Sequence, residues 1–130
     1  MKQFANFLLL FLLLGFGSSS CEPAKKADSS YLTPEELAAK KGELVVIDVR
    51  TPEEFASGHI EGALNINMFD ENFKNQLEAL DRTKAVSVYC KVGSRSARAA
   101  AVMREMGFEE VYDLEGGIRK WNSSGMEIVK

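Results

Sequence analysis

Short, uninterrupted apolar runs alternate along the chain with stretches in which apolar residues recur every three or four positions. The run Leu44 to Val49 is continuously hydrophobic, as suits a parallel strand covered on both faces. Ala63-Leu64-Asn65-Ile66, the segment Ala85 to Tyr89 through Val86, Val88 and Tyr89, and Val111-Tyr112-Asp113-Leu114 read as further strands. Phe69, Phe73, Leu77 and Leu80 would share one face of a helix. Ala99, Val102, Met103 and Met106, spaced i, i+3, i+4, i+7, predict another over Ser96 to Met106, closed by Gly107. A last helix is expected over Gly116 to Asn122, carrying Trp121. Thr33-Pro34-Glu35-Glu36 matches a capping box, with Thr at N-cap, Pro at N1 and Glu at N3, and starts a helix that runs toward Lys41 and stops at Gly42. Its counterpart Thr51-Pro52-Glu53-Glu54 predicts a further short helix. Strands alternating with helices imply an α/β fold: a mainly parallel, about five-stranded sheet with helices on both faces.

The amino terminus departs from this alternation. Lys2 precedes an almost unbroken apolar run from Phe4 to Phe16, followed by Gly17, Ser18, Ser19, Ser20 and Cys21. That is the order of a secretory signal peptide, and the run is shorter than the about 20 residues a spanning helix needs. Small residues immediately before a Cys suggest cleavage there, with lipid attached to the new N-terminal residue. The segment is similar to a bacterial lipoprotein signal, departing from it at Ser18, where such signals usually carry Leu or a similar apolar residue. The alternative is an uncleaved anchor, or an ordinary secretory signal with Cys21 incidental. The expected organisation is a signal peptide over 1–20, a polar tether over 21–30 with Glu22 to Ser30 (EPAKKADSS) as its flexible part, and one domain over 31–130. The expected location is the cell envelope or periplasm, with the membrane reached only through lipid on Cys21.

Removing residues 1–20 takes away one charge, Lys2, and leaves 15 Lys+Arg against 19 Asp+Glu, a net of −4. This mild acidity, without a basic stripe interleaved with aromatics, argues against nucleic acid as a partner. The remaining chain is long enough to bury about two-thirds of its unfolded surface without a disulfide. With Cys21 acylated, Cys90 has no partner in the chain.

Cys90 opens the run CKVGSRS between a strand and a helix. Backbone N–H groups of such a turn can point inward around the sulfur, and the following helix adds partial positive charge. Lys91 and Arg95 add full charges, so the thiolate, the reactive form, is favoured. The bland alternative is a buried, inert thiol in a parallel sheet. A thiolate here could attack the outer sulfur of an anionic donor such as thiosulfate or a persulfide, expelling sulfite or a thiolate. An acceptor thiolate would then remove the sulfur. No metal or organic cofactor is required, and the sole His, His59, stands apart from any Cys/His ligand spacing.

The ordered set Ile47-Asp48-Val49-Arg50, Glu54-Phe55, Gly58 through Asn65, the Cys90 loop, Gly116-Gly117 and Trp121 resembles a single-domain rhodanese over nearly all of Tyr31 to Lys130. The resemblance implies a parallel α/β sheet, a catalytic Cys in a six-residue loop, and sulfane sulfur transfer through a persulfide. It makes Cys90 the nucleophile and Lys91, Val92, Gly93, Ser94 and Arg95 the cradle. It also implies a small anionic sulfur donor and a thiol, protein-thiol or cyanide acceptor.

Around that loop, Asp48, Arg50 and Glu54 either contact substrate or form an ion-pair and hydrogen-bond set that holds the strand end near the loop. Glu54 doubles as a capping residue. Trp121 reads as core packing near the site, His59 as a turn residue rather than a general base, and Arg98 as a solvated face residue. Besides the sulfurtransferase, two other classes fit the loop. One is a non-catalytic binding or docking module. The other is a Cys-dependent phosphatase or arsenate reductase, whose related loop has five residues between Cys and Arg. Here there are four, Lys91 to Ser94, which predicts a cradle too small for phosphate.

Overall fold

The computed structural model describes residues 30–130. The expected signal sequence, Cys21 and nearly all of the tether lie outside these residues. No helix among the described residues is long and apolar enough to cross a membrane.

Five strands form one parallel sheet. In chain order they are β1 (Tyr31–Leu32), β2 (Val45–Asp48), β3 (Leu64–Asn65), β4 (Val86–Tyr89) and β5 (Val111–Leu114), arranged across the sheet as β1-β5-β4-β2-β3. The fold class is the one expected. β1 is the strand that the apolar pattern does not reveal: two residues long, it exists only through its pairing with β5, Tyr31 opposite Asp113 and Leu32 opposite Leu114.

The helices cover both faces. α1 (Pro34–Lys40) and α5 (Gly117–Ser123) bury Leu37, Ile118 and Trp121 against Leu32, Val46, Tyr89 and Leu114. On the other face, α3 (Phe73–Glu78) and α4 (Ser94–Glu105) bury Phe73, Leu77, Ala99, Ala100 and Met103 against Ile47, Val49, Val86, Val88 and Val111. Each large apolar side chain so buried contributes roughly 1.5–3 kcal/mol. α2 (Pro52–Ser57) buries no residue and lies at the rim.

Local chemistry sets the ends of these elements. Thr33 and Glu36 form the expected reciprocal capping box, Oγ1 accepting from the Glu36 N–H and the Glu36 carboxylate from the Thr33 N–H. At α2 only half of that box forms: Thr51 caps the Glu54 N–H, while the Glu54 carboxylate accepts from the Thr51 hydroxyl and from Arg95 instead of from the Thr51 N–H. The helix expected from Phe69 begins only at Phe73, and Phe69 is exposed. Asn67 and Asp70 accept from the backbone N–H groups of Phe69 and Asn72, and these local bonds hold the chain in turns instead of helix.

Register positions the site. Asp48 lies opposite Tyr89, and the Val49 N–H donates to the Tyr89 carbonyl at 3.0 Å. The β2 exit at Val49 and Arg50 therefore emerges level with Cys90, at the carboxyl edge of the sheet where ligands of open parallel sheets bind.

Candidate active site

Cys90 leaves β4 with its side chain fully buried. The chain then turns through Lys91, Val92 and Gly93 into α4, whose first residues are Ser94 and Arg95, two positions earlier than the apolar spacing predicts. The cradle is built from backbone more than from side chains: Lys91, Val92 and Ser94 are exposed. Gly93, at φ 120°, adopts a conformation that side-chain-bearing residues avoid, and its N–H points back to donate to Sγ at 3.0 Å. The Ser96 hydroxyl, buried under the first turn of α4, donates to Sγ at 3.4 Å. Burial alone would push the Cys90 thiol up. Bonds from the Ser96 hydroxyl and from the backbone N–H groups of Ser96, Gly93 and Val92 outweigh it and hold the thiol below its ordinary value.

Arg95 is not a free cation facing the sulfur. Its guanidinium grips the Glu54 carboxylate in a two-pronged pair, Nη1 to Oε1 at 2.7 Å and Nη2 to Oε2 at 2.9 Å. These bonds hold the Glu54 carboxyl down to about 2. Glu54 thus serves the loop through Arg95 more than it serves as a helix cap.

Asp48 and Arg50 form the expected pair. Arg50 Nε donates to Oδ1 at 3.0 Å and Nη2 to Oδ2 at 2.7 Å, both residues buried. Nη2 also donates to the Gly58 carbonyl at 2.7 Å, tying the β2 exit to the end of α2. Burial works against the Arg50 charge, but the bonds to Asp48 outweigh it and raise its pKa. Asn65 locks the same corner by donating to the carbonyls of Asp48 and Arg50. His59 has the structural role expected: its ring stacks on Phe55 at 3.7 Å, and Nδ1 lies 3.0 Å from the Phe55 carbonyl. Trp121 is core, its Nε1 donating to the Glu127 carbonyl; it packs with Leu37 and Tyr89, on the sheet face opposite the one that buries Cys90. Arg98 is exposed.

The N-terminus of α5 closes the other side of the loop. The N–H groups of Ile118 and Arg119 donate to the carbonyls of Cys90 and Lys91 at 3.0 and 3.1 Å. This approach requires glycine at 117, where a Cβ would sit 2.5 Å from the Lys91 oxygen. Beside the loop opens a cavity of about 330 Å³, its walls including Arg50, Glu54, Lys91, Ile118, Arg119 and Ile128. Arg50 and Glu54 are already paired, so Lys91 and Arg119 supply its uncompensated charge among the described residues. Nowhere among those residues do three His, Cys, Asp or Glu side chains converge to hold a metal ion.

Sequence reasoning did not find Ser96, Asn65, Arg119 or the partner of Arg95. For Ser96 a signal existed: Ser96, Ala99, Ala100 and Met103 are the buried residues of α4, so the inward stripe at i, i+3, i+4, i+7 starts on the serine.

The sequence profile of the Rhodanese-like domain matches residues 33–124. The chain is 42% identical over 90 residues to the uncharacterized protein YqhL of Bacillus subtilis, covering 69% of this chain and 70% of that one. It is 35% identical over 79 residues to the thiosulfate sulfurtransferase GlpE of Shewanella oneidensis, covering 61% of this chain and 76% of that one. A match to a tRNA uridine(34) hydroxylase of Bartonella bacilliformis, 33% identical, spans 74% of this chain but only 34% of that longer protein. Among solved structures, a rhodanese-related protein from Thermoplasma volcanium superposes with a TM-score of 0.70 at 30% identity, covering 76% of this chain and 96% of that one.

Proposed function

Because the chain belongs to the Rhodanese-like domain family, we propose that it is a sulfurtransferase that carries a sulfane sulfur on Cys90. One observation carries the reading: the Gly93 N–H and the Ser96 hydroxyl converge on Sγ, an arrangement that favours a sulfur anion over a neutral thiol. In the first half-reaction the Cys90 thiolate attacks the outer sulfur of thiosulfate or of a persulfide. The S–S bond of the donor breaks, sulfite or a thiolate leaves with the electron pair, and Cys90 holds a persulfide anion. In the second, an acceptor thiolate attacks the outer sulfur and the Cys90 thiolate is regenerated. The cavity beside the loop, with Lys91 and Arg119 at its wall, suits an anionic donor or acceptor. In the same reading the first 20 residues direct export and lipid on Cys21 tethers the domain. The support is the apolar run Phe4 to Phe16 followed by small residues before the cysteine.

A second reading, a docking module without turnover, is favoured by one observation: Cys90 has no exposed surface, so a donor reaches it only if the turn over Lys91 to Ser94 shifts. Mass spectrometry of the protein after thiosulfate treatment separates the two. The sulfurtransferase gains the mass of one sulfur on Cys90 and loses it to an added thiol, and the Cys90→Ser variant folds normally but gains nothing. An unchanged mass in the wild type would leave the docking reading standing.

A further inference from the structure

The proposed chemistry uses one face of Ser96 and leaves a buried carboxyl on its other side without a task. Asp113 sits on β5, opposite Val88 of β4 and Tyr31 of β1, and is 4% exposed. It alternates with Tyr112 and Leu114, which pack on the other face of the sheet, so its side chain faces α4, whose first turn points Ser96 inward. Oδ1 is buried without a hydrogen-bond partner among the described residues. A buried carboxylate lacking a partner is costly, and such a group keeps its proton well above the usual range.

We propose that Asp113 is a positioning residue for the Cys90 thiolate and acts through the Ser96 hydroxyl, which donates to the sulfur. The hydroxyl has one hydrogen to give and two lone pairs to accept with. It lies within reach of Sγ at 3.4 Å and of the Gly93 carbonyl at 3.1 Å. A protonated Asp113 donates to Ser96 Oγ and leaves the serine hydrogen to be shared by the sulfur and the Gly93 carbonyl. An ionised Asp113 competes for that same hydrogen, and the sulfur anion loses a donor. Thiolate at Cys90 and carboxylate at Asp113 therefore oppose each other, and ionisation of the thiol favours retention of the proton at Asp113. No bond other than that to the shared proton is made or broken.

The surroundings of Asp113 agree. Burial pushes its carboxyl up to about 6, against weaker opposing pulls from Ser96, Arg104 and the Leu114 N–H. Arg104 on α4 is the cation that acts on it, but Nη2 of that residue is bonded to the Val111 carbonyl, and no ion pair forms. On β1 the register neighbour is Tyr31, half exposed; Cys90, just past the end of β4, lies on the face that α4 covers, while Tyr89, the titratable residue within β4, packs on the opposite face.

The proposal goes beyond sulfur transfer, and its test needs no turnover. Thiolate absorbance of the full-length chain is titrated against pH, with Cys90→Ser subtracted. Asp113→Asn should lower the Cys90 midpoint by about half a pH unit or more. In a Ser96→Ala background the same substitution should move it less than half as far. A midpoint that stays or rises on Asp113→Asn, or an equal shift in both backgrounds, overturns the relay. Should the Asn variant not fold, the Asp113 carboxyl resonance of the wild type decides. A second inflection at the thiolate midpoint, lost in Cys90→Ser, is expected, and its absence overturns the proposal.

Discussion

Arg95 and Glu54, 41 positions apart, meet in two nearly parallel hydrogen bonds of 2.7 and 2.9 Å, and this pair joins the first turn of α4 to α2. α2 buries no side chain of its own, so the pair is a principal link holding that rim helix to the Cys90 loop.

Glu54→Gln tests the strength of that link. The folded-state value is depressed, so the stabilisation is present above the ordinary carboxylate range and is lost as pH falls from about 4.5 toward about 2. The Glu54 side chain is 32% exposed, and solvent screening brings the expected cost at pH 7 to about 1 kcal/mol. Urea denaturation should show this gap at pH 7 and none near pH 2. A gap independent of pH would mean that packing, not charge, joins the two helices.

How far the sequence reaches toward this site depends on whether the determining contact is local. The capping box at Thr33 and the strands β2 and β4 follow from spacing and hydrophobicity alone, and all three stand. The pair Asp48–Arg50 is also local, two residues apart at a strand exit. Glu54 reads from its neighbours as a cap, because nothing nearby announces Arg95. Ser96 escapes for a different reason: a stripe phased on Val102 and Met106, which are only partly buried, hides the phase through Ala100 that turns the serine inward. β1 has no signature apart from β5.

Ser96→Ala removes one of the donors to Sγ and leaves the N–H groups in place. A hydrogen bond to a charged group contributes about 1.5–3 kcal/mol, which corresponds to about one pH unit or more in the thiol midpoint. The Cys90 midpoint should rise by that amount in a thiolate titration, with sulfur transfer at pH 7 falling about tenfold. An unmoved midpoint would assign the tuning to the backbone alone.

Gly117→Ala tests the closure of the loop by α5. An added Cβ meets the Lys91 carbonyl at 2.5 Å in a backbone conformation of φ +62°, so both strain and clash oppose it. Gly62, at φ +81° with nothing within 4 Å of an added Cβ, isolates the strain alone. In urea denaturation Gly62→Ala should cost about 1 kcal/mol and Gly117→Ala at least twice that. Equal costs would show that α5 yields without disturbing the loop.

Charge at the cavity wall is the remaining lever on the proposed chemistry. Lys91 follows the cysteine directly, and Arg119 is fixed to it through the bond from its N–H to the Lys91 carbonyl at 3.1 Å, so the two cations flank one opening. Neither has a carboxylate partner among the described residues. An approaching dianion such as thiosulfate feels both, while the largest influences on the Cys90 thiol are its burial and the bonds from Ser96, Gly93 and Val92. Arg119→Glu should therefore raise KM for thiosulfate about fivefold or more at low salt, with kcat and the thiol midpoint little changed, and the effect should shrink as ionic strength rises. Lys74→Glu makes the same change in net charge on α3, across the sheet from α5, and should leave KM near the wild-type value. If both reversals raise KM equally, the donor responds to the charge of the whole domain and not to this cavity.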